Sequence, residues 1–473
     1  MVKQRSLTVN SMLNVVRQIC AVIFPLITFP YATRVLGTAN YGMVSFGLSI
    51  ISYIALIANL GVIEYAIREG AKVRDNKREF QKFSSQMLSI NLLSTVFSLV
   101  LLLVLILFWK RLDGYAVLLM IQSIGVISTT IGTDWINSAY EDYLFITVRY
   151  IVCSLLSIVL MFIMVRSSDD YLAYAFFTIS SNLFANVLNF IHVRKRYDIH
   201  PRFTLDMDLK MHLKPVFILF GSSIAAFVYI NSDVLMLGIM KDNATVGIYS
   251  AGSRIYLMVK QILNAALVVM IPRISNNIAN RIDNSKLLQT IRTACILVLL
   301  PATAGLYLVG DKLILLMSGS EYLPSADIIR VLAIALFFAT SGCYYISVVM
   351  IPYGKEKWVL TGSIAAALVN IILNIILIPR YGGVAAAWST VFSEMIMFIT
   401  GVACTRGIVK IRFIKPYLIS LLCVAFIVLE SNIVNTYVDN LIVQLILTVL
   451  LGVAGAAILT VPCYYGEIKE FIR

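Results

Sequence analysis

Apolar stretches of about twenty residues recur along almost the whole chain, and this pattern limits the possible folds more than any other feature. A helix needs roughly 20 apolar residues to cross the ~30 Å hydrocarbon core of a bilayer. The fourteen windows of that kind are 11–33, 43–66, 86–108, 115–136, 144–165, 171–191, 213–239, 246–271, 289–310, 327–350, 358–379, 384–405, 414–431 and 441–463. The sequence therefore predicts an all-α integral membrane protein with about fourteen transmembrane helices.

The composition excludes a water-soluble enzyme of this length. Of the 473 residues, 60% are hydrophobic and 13% are charged, whereas soluble domains have about 45–50% apolar and about 25% charged residues. The net charge of +13 would suggest nucleic acid as a partner of a soluble chain. Since no basic, aromatic-rich domain lies outside the apolar stretches, we expect no nucleic-acid partner.

The positions of lysine and arginine predict the orientation in the membrane. Most of the 38 Lys and Arg residues lie in alternate connecting segments, beginning with the N-terminal one. Positively charged segments stay on the cytoplasmic side of a membrane. An even number of helices places both chain ends on one side, so we expect cytoplasmic N- and C-termini.

A weak internal repeat predicts how the chain is divided. Leu36-Gly37 at the end of the first span and Leu237-Gly238 at the end of the seventh both stand before a helix-to-helix turn. Transporters built from parallel repeats show such a correspondence between their halves. We expect an N-terminal lobe (1–191), a cytoplasmic linker (192–212), a C-terminal six-helix lobe (213–405) and a C-terminal helix pair (406–473).

Ionisable residues inside the spans are candidate functional residues, because a charge in the bilayer is costly unless it faces protein or water. Arg17, Arg254 and Lys260 predict a cationic cavity, which suits an anionic substrate whose phosphate oxygens accept charge-assisted hydrogen bonds. Asp233 and Glu394 either couple an ion or form structural ion pairs, and Asp233 has Arg254 as a possible partner on the next helix. Snorkelling to the membrane surface is the alternative for Arg17 and Lys260.

The sequence lacks the common signatures of soluble catalysis. It has no GxGxxG, GxxxxGK, HExxH or GxSxG motif, and its three histidines and seven cysteines have no metal-site spacing. We therefore expect neither an enzyme nor a cofactor or metal site. Without a nucleotide-binding motif, we expect transport to use an ion gradient or the membrane potential.

Six segments in the first twelve predicted spans carry family motifs. They are residues 29–37 (FPYATRVLG) with 41–42, 65–75 (YAIREGAKVRD), Asp134-Trp135 through Glu141 to Arg149, 233–238 (DVLMLG) with 246–249 (VGIY), Asn370 through Asn374, and 379–382 (PRYG) running to Glu394. Together they resemble the polysaccharide flippase (Wzx-type) branch of the multidrug/oligosaccharidyl-lipid/polysaccharide exporter superfamily. One departure is residues 136–140 (INSAY), where that family typically has aromatic residues and a glycine.

The resemblance implies two six-helix lobes around a central cavity, two further C-terminal helices, and transport by alternating access. The implied substrate is an undecaprenyl-diphosphate-linked oligosaccharide repeat unit, moved from the inner to the outer leaflet of the bacterial cytoplasmic membrane for surface polysaccharide export. The implied partners are this anionic lipid-linked oligosaccharide, membrane lipids and polysaccharide polymerase machinery. Two alternatives stay open, an ion-coupled small-molecule or drug antiporter of the same superfamily and a lipid II flippase.

The 65–75 motif also contains a candidate inner gate. Arg68, Glu69, Arg74 and Asp75 alternate in charge on the cytoplasmic side of the second predicted span. Ion pairs among them would break when the gate opens. The alternative is a solvated charged turn, because ion pairs on a surface contribute little to stability.

Overall fold

The computed structural model describes residues 7–409 and 414–472, and its regular elements in these ranges are all helical. The α-helices are α1 (Leu7–Asn59), α2 (Val62–Val73), α3 (Lys77–Phe108), α4 (Ala116–Gly132), α5 (Trp135–Ala139), α6 (Tyr143–Met164), α7 (Tyr171–His192), α8 (Leu209–Met240), α9 (Asn243–Val268), α10 (Ile271–Ala279), α11 (Ser285–Ser318), α12 (Ser325–Cys343), α13 (Glu356–Tyr381), α14 (Gly383–Thr405), α15 (Lys415–Tyr437) and α16 (Leu441–Ile472). Short 3₁₀ turns and two π-helical turns join some of them.

The helices account for the fourteen predicted spans. Within the described ranges, twelve helical stretches are long and apolar enough to cross a membrane, and the first of them runs over 58 residues. That first stretch contains two predicted spans, and α1 breaks between them at Gly37 (φ 71°, ψ 175°). The shorter apolar helix α4 supplies the remaining one. The predicted fold class is confirmed.

The described chain forms two compact units, one ending at Phe227 and the other beginning at Val228. In the N-terminal unit, α1 packs against α3, α4, α6 and α7. In the C-terminal unit, α14 packs against α12 and α13, and α11 packs against α12, α15 and α16. The boundary between the units lies inside α8, and the four-part division expected from the repeat stays a prediction.

Gly61 allows α2 to begin directly against α8. Its φ of 77° is left-handed, and a Cβ there would lie 2.8 Å from the carbonyl oxygen of Val216 and 2.9 Å from the amide nitrogen of Phe220. Both are backbone atoms of a packed helix, which cannot rotate away as a side chain could. Any side chain at position 61 must therefore displace α8.

We expect Gly61→Ala to lower the free energy of unfolding by about 3 kcal/mol, since it adds backbone strain to a steric clash. The measurement is the thermal unfolding midpoint of the purified protein in detergent. Gly114→Ala is the matched control, because Gly114 has a φ of 84° but no atom of the described residues lies within 4 Å of the position that a Cβ would take. The control should lose only about 1–2 kcal/mol. Equal losses in the two variants would contradict the close approach of α2 and α8.

Candidate functional site

A buried carboxylate in the C-terminal unit is surrounded by hydrogen-bond donors from three other helices. Asp233 on α8 accepts bonds from Tyr249 Oη on α9 (2.7 Å) and from Thr390 Oγ1 on α14 (2.6 Å). Its other oxygen accepts from Nδ2 of Asn370 (3.0 Å) and of Asn374 (2.7 Å), both on α13. The two asparagines are one helical turn apart, so both reach the same partner. Asp233 therefore links four helices of this unit.

The asparagines extend this network. Ser232 Oγ donates to Asn370 Oδ1, which also accepts from Asn374 Nδ2 at 3.0 Å. The Oδ1 atom of Asn374 is buried and has no hydrogen-bond partner among the residues that the structure describes. A carboxylate with amide and hydroxyl oxygens nearby offers the oxygen donors that hard cations bind. The same carboxylate could instead take a proton.

Next to this network, a lysine and a glutamate form an ion pair. Lys260 Nζ on α9 lies 2.6 Å from Glu394 Oε1 on α14, and their side chains are 20% and 6% exposed. The ring of Tyr256, one turn before Lys260, lies 5.7 Å from the ammonium group, within cation–π range. Glu394 follows Thr390 by one turn of α14, so the pair and the Asp233 network are neighbours. Glu394 is also midway along its helix, which makes its burial costly without Lys260.

The structure brings together two of the predicted residues and separates two others. Lys260 and Glu394 were identified separately from the sequence and are partners in the fold. The possible pair of Asp233 with Arg254 is wrong: within the described ranges Asp233 has the four donors above, and Arg254 is exposed on α9 without an ion pair. Arg17 lies half-exposed on α1. The cavity roles of Arg17, Arg254 and Lys260 stay predictions.

Three of the four candidate gate residues form ion pairs inside the N-terminal unit. Glu69 accepts from Arg68 Nε at 2.9 Å and from Lys72 Nζ at 2.8 Å. Arg74 Nη1 reaches a residue outside the motif, Glu141, at 2.8 Å. Asp75 is exposed and has no ion pair in the part of the chain that the structure describes. A gating role for these four residues stays a prediction.

The N-terminal unit also contains an ion pair that was not predicted from the sequence. Arg149 Nη2 lies 2.6 Å from Asp134 Oδ1, and the arginine side chain is only 5% exposed whereas that of the aspartate is 43% exposed. Two further nitrogens of Arg149, Nε and Nη1, are buried and have no hydrogen-bond partner in the described part of the chain. The Asp134-to-Arg149 segment was noted only as part of a motif. Its pairing depends on how α5 and α6 fold back, which the sequence does not show.

We expect Asp134→Asn to lower the free energy of unfolding by about 2 kcal/mol, because it leaves the buried Arg149 guanidinium without an anion. Glu141→Gln is the matched control, since it removes one carboxylate from Arg74, whose side chain is 17% exposed and whose Nη1 keeps a hydrogen bond to the carbonyl oxygen of Ala139. This variant should cost less than about 1 kcal/mol. Thermal unfolding in detergent measures both losses. If Glu141→Gln lowered the free energy of unfolding as much as Asp134→Asn, the burial of Arg149 would not explain the loss.

Comparisons with known proteins show related sequences. The chain matches the family described as "Polysaccharide biosynthesis protein" over residues 7–278. It is 24% identical over 390 residues to the "Putative O-antigen transporter" of Escherichia coli (strain K12), covering 80% of this chain and 92% of that protein. It is also 24% identical over 203 residues to the "Probable low-salt glycan biosynthesis flippase Agl15" of Haloferax volcanii, covering 41% of each chain.

Solved structures show the same fold at low sequence identity. An inward closed conformation of the lipid II flippase MurJ matches with a TM-score of 0.72 and 16% identity, covering 98% of this chain and 100% of that one. An inward-facing multidrug resistance transporter of the MATE family and MOP superfamily matches with a TM-score of 0.56 and 12% identity, covering 85% and 94% of the two chains.

Proposed function

Because the chain belongs to the polysaccharide biosynthesis protein family, we propose that it flips undecaprenyl-diphosphate-linked oligosaccharide repeat units from the inner to the outer leaflet of the bacterial cytoplasmic membrane. The observation that carries this proposal is the similarity to an O-antigen transporter over 92% of that protein's length. The named relatives above are transporters or flippases, which supports transport and not catalysis.

In the C-terminal unit, the cationic residues Arg254 and Lys260 bind the diphosphate of the substrate. Arg17, in the N-terminal unit, is a separate candidate contact for the anionic substrate. Arg254 is exposed, so its guanidinium is available to phosphate oxygens. Lys260 is held by Glu394 at 2.6 Å and becomes available when that pair separates. Substrate phosphate and the Glu394 carboxylate thus compete for one ammonium group.

Ion coupling acts through Asp233 and Glu394 during alternating access. A proton on Glu394 cancels the countercharge of Lys260 and frees the lysine for the diphosphate. A proton or monovalent cation at Asp233 changes the bonds that join α8, α9, α13 and α14. Because the packing of these four helices then depends on whether the ion is bound, the ion gradient favours one conformation of the transporter over the other.

The orientation follows from the lysine and arginine distribution. Both termini lie in the cytoplasm, and the Arg68, Glu69, Arg74 and Asp75 cluster lies at the inner gate. The repeat units delivered to the outer leaflet are then substrates for polysaccharide polymerase machinery.

The test is a deletion strain in which surface polysaccharide and lipid-linked intermediates are both measured. We expect loss of surface polymer, accumulation of undecaprenyl-linked repeat units on the inner leaflet, and restoration by the cloned gene. Unchanged polymer with new drug sensitivity would instead indicate a small-molecule antiporter. Unchanged polymer with accumulating lipid II would indicate a lipid II flippase.

A further inference from the structure

The connection between α7 and α8 follows the first turns of α3 as an extended segment, residues 198–208. Three α3 side chains, spaced one turn apart, accept hydrogen bonds from alternate amides of this loop. The bonds run from the amide of His200 to Gln81 Oε1 (2.7 Å), from that of Arg202 to Ser85 Oγ (3.2 Å) and from that of Thr204 to Ser89 Oγ (2.8 Å). Four helical residues rise about 6 Å and two extended residues about 6.6 Å, so the two periods match.

This pairing fixes how far the loop reaches toward the membrane. The C-terminal end of α3 is followed by Trp109 and Lys110, residue types found at membrane–water interfaces. Counting about 20 helical residues back from Phe108, the length that crosses the hydrocarbon, ends at Ser89. Thr204 is bonded to Ser89 and therefore lies at the cytoplasmic edge of the hydrocarbon core.

After Thr204 the loop turns away from this level. The amide of Asp206 donates to Thr204 Oγ1 at 3.1 Å, and the Asp206 carboxylate lies 3.0 Å from Lys82 Nζ, nearer the start of α3. Residues 203–205 are therefore the tip of the loop. The tip is the part of the loop closest to the bilayer.

The apolar side chains of the loop fall into two sets. Ile199 and Met207, on the two sides of the tip, are buried in the hydrophobic cluster of the N-terminal unit. Phe203 and Leu205, at the tip, are 53% and 85% exposed. Such exposure is unfavourable in water and favourable in the acyl boundary of a leaflet.

The charges of the loop complement an anionic surface. The hydrogen bond from Lys77 and the interaction with His200 hold the pKa of Asp198 below its ordinary value, so this acid remains ionised and its charge is balanced. The charge of Asp206 is balanced by Lys82, whose Nζ lies 3.0 Å from the carboxylate. Arg202, Lys210 and Asp208 are exposed and have no ion pair among the described residues, so the unpaired charges are two cations and one anion. The two cations remain available to lipid phosphates on either side of the tip.

We propose that the tip, residues 203–205, is an interfacial anchor that inserts Phe203 and Leu205 into the cytoplasmic leaflet. Arg202 and Lys210 then contact the headgroups of anionic phospholipids. The anchor fixes the connection between α7 and α8 to the bilayer surface. It involves no transported substrate and can be tested whether or not the proposed function holds.

The first test measures the depth of a nitroxide spin label at Leu205→Cys, in a background without the native cysteines, reconstituted in vesicles of three parts phosphatidylcholine to one part phosphatidylglycerol. We expect several-fold more collision with oxygen than with a water-soluble nickel chelate. Asp208→Cys is the matched control, because Asp208 is exposed on the same loop beyond the tip. This label should collide more with the chelate. Equal chelate access at both positions would overturn the proposal.

The second test keeps the native cysteines and uses fluorescence of Leu205→Trp in vesicles of the same composition with brominated acyl chains. We expect strong quenching beyond that of the four native tryptophans, and weaker quenching in phosphatidylcholine alone. If quenching were equal in both lipids, the proposed headgroup contacts of Arg202 and Lys210 would be wrong. The anchor would be refuted if position 205 were inaccessible to the chelate in native membranes but its tryptophan were unquenched in vesicles. A protein partner would then cover the tip.

Discussion

The Lys260→Met variant is expected to lose polysaccharide export. Its free energy of unfolding should fall by about 3 kcal/mol, because the Glu394 carboxylate is left buried without a countercharge. Methionine has a similar length and fills much of the same volume, so packing changes little. Export is measured by complementation of the deletion strain, and stability by the thermal unfolding midpoint in detergent.

The double variant Lys260→Met with Glu394→Gln separates the two roles of this pair. Removing both charges removes the unpaired carboxylate, so we expect most of the lost stability to return. Export should not return, because the ammonium group that receives the diphosphate is still absent. Recovery of export together with stability would mean that the pair is purely structural.

Replacing Asp233 with asparagine is expected to abolish export and to remove the dependence of the unfolding midpoint on protons or monovalent cations. Asparagine keeps the size of the side chain but presents an amide group to Tyr249, Asn370, Asn374 and Thr390, all of which donate to the carboxylate. The loss of stability should be about 2–3 kcal/mol, since an unmatched buried polar group costs roughly 1–3 kcal/mol. The unfolding midpoint is measured between pH 5 and 8 in sodium and in potassium buffers.

Asp242→Asn is the matched control for this prediction. Asp242 caps the start of α9 in the same unit by accepting from the amide of Thr245 at 2.7 Å. Asparagine caps helices about as well as aspartate, so this variant removes one carboxylate with little structural cost. We expect normal export and a normal ion response. Wild-type export and ion response in Asp233→Asn would disprove ion coupling at this carboxylate.

The transmembrane helices could be predicted because the bilayer imposes a length of about twenty apolar residues, which hydropathy detects directly. The short helices α2 and α10 were not predicted as separate elements. Both have charged residues among apolar ones and follow a membrane span closely, so their apolar residues merge with that span in a hydropathy window.

The candidate site in the C-terminal unit was predicted only in part, because the sequence shows buried charges but not their partners. Lys260 and Glu394 are charges in apolar runs and are visible in the sequence, but they are 134 residues apart, and only the packing of α9 on α14 makes them partners. The donors to Asp233 are uncharged, so a search for buried charges passes over them. The Asn370 and Asn374 spacing of one turn was the available signal.

The wrong partner for Asp233 has a geometric cause. Depth in the membrane placed Arg254 near Asp233, but depth does not determine which face of a helix a residue occupies. At about 100° per residue, Lys260 lies about 20° around α9 from Tyr249, whereas Arg254 lies about 140° away. The face that carries Tyr249 and Lys260 packs on α14, and Arg254 is therefore exposed.

The match between the two-residue steps of the α7–α8 loop and the four-residue steps of α3 limits where a tag or reporter domain can be inserted. One extra residue before His200 would shift the loop by half a step and break all three amide bonds to Gln81, Ser85 and Ser89. It would also exchange the buried and exposed faces of the loop. The basic connection between α7 and α8 is thus a poor insertion site, although its length and polarity in the sequence suggest the opposite.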